Sequence, residues 1–194
     1  MGYVEVTPER FARDRKALCH IVTGLHHIPL TAAGLIVRSG IQFCVVRIAI
    51  ASDHGGFELK EALKTLLDEL HIPYKDFGTT STDAVDYPDY AEVVGRKVAA
   101  GEFDRGILAC GTGIGMSIAA NKIPGIRAAL VWNVITARLA REHNDANIMT
   151  VGGRTTSIEL AREIVRTFLT TAFDGDGRHA RRVQEISSLD CKDS

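Results

Sequence analysis

The chain has 194 residues, of which 45% are hydrophobic and 24% are charged, which is typical of one globular domain with additional segments. Its 23 lysine and arginine residues nearly balance 24 aspartate and glutamate residues, giving a formal net charge of -1. This balance argues against a general nucleic-acid binder, which usually has a basic surface. No uncharged apolar run reaches the length of about 18 residues that a membrane helix needs. We therefore expect neither a nucleic acid nor a membrane as a partner.

The cysteines indicate a reducing compartment. They are Cys19, Cys44, Cys110 and Cys191. Their spacing contains no Cys-x-x-Cys pair and fits neither a zinc site nor a dense disulfide framework. We therefore predict a cytoplasmic protein.

From Arg47 onward, short apolar segments alternate with amphipathic ones. The predicted strands are 47–52, 74–77, 105–109, 126–131 and 147–151. The first predicted helix has Leu59, Leu63, Leu66 and Leu70 on one face. The other predicted helices are 90–100, 116–122, 134–142, 158–168 and 179–188. This alternation predicts an α/β fold, namely a three-layer Rossmann-like domain whose five-stranded parallel sheet has helices on both faces.

The domain boundaries follow from where this alternation starts and stops. Residues 1–45 contain no clear strand–helix unit, so we expect an N-terminal extension outside the core. Residues 46–190 form the predicted domain, and residues 191–194 form a short tail.

The strand order locates the expected ligand crevice. We expect the flavodoxin-like order 2-1-3-4-5, in which ligands bind beyond the carboxyl ends of the first and third strands. The first strand ends in Asp53-His54-Gly55-Gly56, and the third ends in Cys110-Gly111-Thr112-Gly113. Both polar clusters should therefore face one crevice.

The most informative segment is Cys110-Gly111-Thr112-Gly113-Ile114-Gly115, a glycine-rich turn between a strand and a helix. Free backbone N–H groups at such a turn stabilise a thiolate and a neighbouring oxyanion. The pattern indicates proton transfer at carbon, with negative charge developing on oxygen. A buried core cysteine and a purely structural turn are the alternatives. The turn lacks the Gly-x-Gly-x-x-Gly spacing of dinucleotide folds and the Lys-Ser/Thr of a P-loop.

Several other polar groups have both a structural and a chemical interpretation. Asp53 is either a helix cap or a carboxylate that binds hydroxyls. His143 is either a helix-dipole partner or a proton shuttle. Arg178 and Arg182 lie four residues apart, so on one helix face they could bind one phosphate, with Arg154 joining them; a solvated charge run is the alternative.

Several motifs in the same order resemble the B-type ribose-5-phosphate isomerases and their galactose-6-phosphate relatives. The similarity runs from about Arg47 to Ile186. The matching motifs are Ala51-Ser52-Asp53-His54-Gly55-Gly56, Asp86-Tyr87-Pro88, the Cys110–Gly115 turn, Ser117-Ile118-Ala119-Ala120-Asn121-Lys122, Gly125-Ile126-Arg127-Ala128, His143-Asn144-Asp145-Ala146-Asn147 and Asp176-Gly177-Arg178-His179-Ala180-Arg181-Arg182.

The resemblance implies an aldose–ketose isomerase that acts on a phosphorylated sugar, here the interconversion of ribose 5-phosphate and ribulose 5-phosphate, without a metal or an organic cofactor. By analogy, Cys110 is the base that moves a proton between C2 and C1 through an enediolate. A second branch of the family has a glutamate base at the position of Met116, whose thioether cannot accept a proton. His143 and Thr112 would assist sugar-ring opening.

The resemblance also assigns the binding groups. The enediolate would be bound by the amides of Gly111, Gly113, Ile114 and Gly115. Asp53 and Asn144 would hold hydroxyls, and Tyr87 would line the pocket. The phosphate would be surrounded by His54, Arg154, Arg178, His179 and Arg182. The family shares its sites between two subunits, so we expect a homodimer or a homotetramer.

Three rival functions remain open from the sequence. The first is isomerisation of another sugar phosphate: galactose 6-phosphate, allose 6-phosphate or a tetrulose phosphate. The second is a non-catalytic sugar-phosphate sensor, which would not need a base. The third is a flavodoxin-like electron carrier, although we find no evident flavin-binding loop.

Overall fold

The computed structural model describes residues 46–191. The predicted extension, residues 1–45, and residues 192–194 of the predicted tail lie outside the described residues. The strands are β1 Ile48–Ser52, β2 Tyr74–Asp76, β3 Arg105–Cys110, β4 Ala128–Leu130 and β5 Ile148–Gly152. The helices are α1 Phe57–Glu69, α2 Tyr87–Ala99, α3 Ile114–Ala120, α4 Val134–Asn144, α5 Ile158–Thr170 and α6 Gly177–Ser187, with 3-10 turns at His54–Gly56 and Ser188–Cys191.

The strands form one parallel sheet in the order β2-β1-β3-β5-β4. The predicted α/β class is confirmed, but the predicted order 2-1-3-4-5 is wrong at one edge. All five residues of β5 are buried, whereas β4 has only three residues, all half-buried. The longer, fully buried strand β5 takes the interior position, and the short β4 forms the edge. The pairing of β1 with β3 is as predicted.

Helices cover both faces of the sheet because successive strand residues point to opposite sides. Helices α1, α4 and α5 bury residues such as Leu63 and Phe168 in one core cluster with Ile107 of β3. Helices α2 and α3 bury residues such as Val94 and Met116 in a second cluster with Leu108. The rigid sheet between them fixes the strand ends where the polar motifs lie.

Two helix starts differ from the sequence prediction and bear on the site. Helix α2 begins at Tyr87 and not at 90, since Pro88 is accommodated in its first turn. Helix α3 begins at Ile114 and not at 116, directly after Gly113, whose φ of 78° lies in the left-handed region. Both changes place Tyr87 and Ile114 on helix ends at the crevice.

Within residues 46–191, no helix is both long and apolar enough to cross a membrane.

Candidate active site

The carboxyl ends of β1, β3 and β5 are joined by backbone hydrogen bonds. The Asp53 N–H donates to the Ala109 carbonyl at 3.2 Å, and the Gly153 N–H donates to the Cys110 carbonyl at 2.7 Å. The Arg154 N–H donates to the Gly111 carbonyl at 3.0 Å. The ends of the three strands are therefore held together at one edge of the sheet, with the Cys110 turn between them.

Cys110 is buried, with 5% of its surface exposed, yet its sulfur has a polar partner. The Gly113 N–H donates to Sγ at 3.1 Å. A Cβ on Gly113 would lie 2.6 Å from Leu130 Cδ1 and 2.9 Å from the Val151 carbonyl carbon, so only glycine fits there. Sγ thus accepts a hydrogen bond from a rigid turn, so it is not surrounded by hydrocarbon alone as an ordinary core thiol would be.

The amides of the turn divide into bound and available donors. Gly113 donates to the sulfur, and Ile114 donates to Thr112 Oγ1 at 3.3 Å. Among the described residues, the amides of Gly111 and Gly115 have no acceptor. Of the four amides expected to bind an enediolate, these two are therefore the ones that can do so without breaking a bond within the turn.

Asp53 and His54 are both held by backbone donors. Asp53 is buried, and its Oδ1 accepts the Gly56 N–H at 3.0 Å, so it is the helix cap that the sequence allowed. Its Oδ2 has no donor within the described residues. His54 Nδ1 accepts the Val85 N–H at 3.2 Å. The neutral ring therefore has its proton on Nε2, which leaves an N–H donor for a ligand.

Tyr87 and Arg154 flank the turn from two sides. A Cβ on Gly115 would lie 2.6 Å from Tyr87 Cζ, so the phenol ring lies directly against this glycine. A Cβ on Gly111 would lie 3.4 Å from Arg154 Cδ. Both side chains are exposed and thus accessible to a ligand above Cys110.

The remaining predicted residues form a second cluster. The rings of His143 and His179 stack with centroids 4.1 Å apart and planes inclined by 10°. Arg178 Nε lies 3.4 Å from His179 Nε2 in a hydrogen bond. Asn144 and Arg182 are exposed near this pair, on α4 and α6 respectively.

The two clusters lie at opposite edges of the sheet. Helix α4 starts after the carboxyl end of β4 and ends at Asn144, just before β5 begins at Ile148. Its 11 residues span about 16 Å, so His143 lies at the amino edge, whereas Cys110 lies at the carboxyl edge. One chain therefore does not bring His143 to Cys110. Arg154, which follows the carboxyl end of β5, is likewise separated from Arg178 and Arg182 within one chain.

The second cluster has a defined electrostatic character. Burial lowers the pKa of His179, and His143 and Arg178 lower it further. Asp174 opposes this effect, whereas Arg182 adds to it. A neutral His179 can stack on His143 without charge repulsion.

Similarity to a known protein family identifies the family of this chain. The sequence model of the Ribose/Galactose Isomerase family matches residues 48–186. The chain belongs to the ribose/galactose isomerase family. Membership confirms the resemblance and the predicted enzyme class, an aldose–ketose isomerase.

This isomerase aligns with individual relatives over nearly their whole length. It is 53% identical over 148 residues to "Putative sugar phosphate isomerase YwlF" of Bacillus subtilis, covering 76% of this chain and 99% of the relative. It is 45% identical over 144 residues to ribose-5-phosphate isomerase B of Escherichia coli, covering 74% of this chain and 96% of the relative. The structure of the Thermotoga maritima ribose 5-phosphate isomerase aligns with a TM-score of 0.72 and 56% identity, covering 74% of this chain and 98% of that structure's chain.

The described residues of this isomerase contain no group of three or more His, Cys, Asp or Glu side chains that could hold a metal ion.

Two residues that support the site from outside it were not predicted from the sequence. Val85 holds His54 through a backbone amide, which no side-chain pattern reveals. Lys60 is 1% exposed on the apolar face of α1. The sequence feature that could have indicated its burial is a charged residue within a stripe of leucines.

Proposed function

We propose that this isomerase interconverts ribose 5-phosphate and ribulose 5-phosphate through an enediolate, with Cys110 as the base. The observation that supports the proposal most is the Gly113 N–H directed at Cys110 Sγ at 3.1 Å. A thiolate at the crevice can accept the weakly acidic C2 proton and return it to C1. The O2 hydroxyl proton moves to O1 in the same sequence, so the sugar is isomerised without any net redox change.

The enediolate intermediate needs donors that are in place before the charge forms. The amides of Gly111 and Gly115 are such donors, and each is worth about 3–4 kcal/mol in the transition state. Asp53 Oδ2 is the acceptor for a sugar hydroxyl, and Thr112 assists ring opening beside the base. Tyr87 lies against Gly115 and lines the pocket beside the turn.

The phosphate and the ring-opening histidine require a second chain. His54 and Arg154 lie near Cys110, whereas His143, Asn144, His179, Arg178 and Arg182 lie at the far edge. We propose a homodimer, or a homotetramer built from it, in which the amino edge of one chain completes the carboxyl-edge crevice of the other. Residues 46–190 then form the isomerase domain, and residues 1–45 are an extension to it.

The direct test is the conversion of ribose 5-phosphate by the purified full-length chain without added metal. Exchange of the C2 proton with deuterated water in the same sample tests the enediolate. A sensor would bind the sugar phosphate without exchange, and a flavin carrier would be coloured and would not exchange. Absence of both turnover and exchange in the folded protein would refute the proposal.

A second candidate is isomerisation of galactose 6-phosphate, allose 6-phosphate or a tetrulose phosphate by the same proton transfer. It is supported by the Bacillus subtilis relative, whose name specifies no particular sugar. Comparison of kcat/KM across tetrose, pentose and hexose phosphates separates these substrates, because the distance between the phosphate cluster and Cys110 favours one chain length.

A further inference from the structure

Lys60 is a buried cation whose ammonium group has three acceptors. Nζ lies 2.6 Å from Asp76 Oδ2, 2.8 Å from the Thr79 carbonyl and 3.1 Å from Glu61 Oε1. The side chain is 1% exposed. A lysine so fully removed from water is retained only where its partners are fixed, since loss of one partner leaves a buried charge uncompensated.

Charge balance alone does not explain this lysine. Lys64, which is 25% exposed, also contacts both acids, at 3.0 Å from Asp76 and 2.9 Å from Glu61. Burial raises the pKa of Asp76, but hydrogen bonds from Lys60, the Gly78 amide and Lys64 outweigh it and lower the pKa. Asp76 would thus keep a cationic partner without Lys60. The contact that distinguishes Lys60 from Lys64 is the Thr79 carbonyl.

Thr79 belongs to the β2–α2 loop, residues 77–86, which crosses the end of β1. The Thr79 N–H donates to the Ser52 carbonyl at 3.0 Å. Thr79 Oγ1 and the Ser81 backbone are hydrogen-bonded at 3.3 Å, and Ser81 Oγ donates to Asp83 at 2.9 Å. A series of hydrogen bonds therefore extends from Lys60 through Thr79 and Ser81 to Asp83.

The loop ends at the active site. Its Val85 N–H donates to His54 Nδ1, and Tyr87 follows at the start of α2 against Gly115. Without the Val85 donor, both His54 tautomers become accessible, and the Nε2–H donor is no longer guaranteed.

We propose that Lys60 is a positioning residue: by binding the Thr79 carbonyl it holds the β2–α2 loop, which fixes His54 with Nε2–H as the donor to the substrate phosphate. The role of His54 towards phosphate rests on the proposed function, whereas the loop and tautomer effects do not.

The test compares Lys60→Met with Lys64→Met in the full-length protein. For Lys60→Met we expect faster amide exchange across residues 77–86 and a mixture of His54 tautomers in long-range 1H–15N spectra. We expect the affinity for inorganic phosphate to fall, and KM for ribose 5-phosphate to rise, each about tenfold, with kcat within threefold. Lys64→Met, which removes the same charge, should leave all four readouts near wild type.

Two outcomes overturn the proposal. One is a folded Lys60→Met protein with wild-type loop exchange and the Nε2–H tautomer. The other is equal effects of Lys60→Met and Lys64→Met, which would reduce Lys60 to an ordinary ion pair. If Lys60→Met does not fold, Asp76→Asn replaces it, because this change removes the charge that orients Nζ but retains an oxygen for the Gly78 amide. Loop exchange in that variant should rise, and unchanged exchange overturns the proposal.

Failure of the proposed function gives a different result. Loop exchange and the His54 tautomer would still respond to Lys60→Met, but neither wild type nor variant would isomerise ribose 5-phosphate.

Discussion

The rings of His143 and His179 lie parallel, 4.1 Å apart, although they come from different helices. His143 is in the last turn of α4, and His179 is in the first turn of α6. The Asp174 N–H donates to the Glu142 carbonyl at 2.9 Å, which fixes the chain entering α6 beside the end of α4. Two groups for which we propose different tasks, ring opening and phosphate binding, are thus held as one unit.

The first prediction concerns the pH dependence of stability. Because folding lowers the pKa of His179, the unfolded chain binds more protons at this residue than the folded chain does. This contribution to stability is complete above the unfolded pKa of about 6.5 and decreases as the pH falls below it. His179→Gln should therefore lose less stability than wild type between pH 8 and pH 5 in urea titrations. The exposed His71→Asn serves as the control, and an identical slope for His179→Gln would contradict the prediction.

The second prediction concerns the base. Cys110→Ala should lower kcat by at least about 10³-fold, within the range of general-base catalysis, with substrate affinity largely retained. Calorimetric titration with ribose 5-phosphate measures binding in the inactive variant. Cys110→Ser is the matched control for volume, and its hydroxyl should not restore the rate. Full turnover in either variant would rule out Cys110 as the base.

The third prediction separates activity from stability at Gly115. A methyl group there would lie 2.6 Å from Tyr87 Cζ, so Gly115→Ala should displace the ring and lower kcat/KM about tenfold. Alanine in a helix is favoured over glycine by about 1 kcal/mol, so Tm should stay the same or rise. In a Tyr87→Ala background, Gly115→Ala should have a much smaller effect. Equal effects in both backgrounds would show that Tyr87 is not involved.

The fourth prediction tests the shared site by complementation. Cys110→Ala and Arg182→Ala alter opposite edges of the chain. If each crevice uses both edges from two chains, random mixed dimers should have about a quarter of all sites intact. Refolding the two variants together should therefore restore about a quarter of wild-type turnover at low substrate. No recovery in demonstrably mixed dimers would place both residues in one chain's site.

Much of the carboxyl edge could be predicted from local patterns. The apolar run before Cys110 and the glycines after it locate the end of a strand and the start of a helix. Parallel strands then bring Asp53 and Cys110 together, as the Asp53–Ala109 hydrogen bond confirms.

Three features could not be predicted in this way. The position of β5 between β3 and β4 could not be read from local apolarity, because both strands are largely apolar and only their length and burial in the fold distinguish them. The separation of His143 from Cys110 depends on helix direction, which a list of motifs does not contain. The burial of Lys60 could not be predicted either, because its partners Asp76 and Thr79 lie 16 and 19 residues away along the chain.

The insertion of β5 also has a consequence for synthesis on the ribosome. Strand β4 pairs only with β5 in the sheet, and the Cys110 carbonyl receives its hydrogen bond from Gly153. A nascent chain that stops before Ile148 thus has an unpaired β4 and an unsupported glycine turn. The Cys110 turn can therefore acquire its full surroundings only after Gly153 has been synthesised and has emerged from the ribosome.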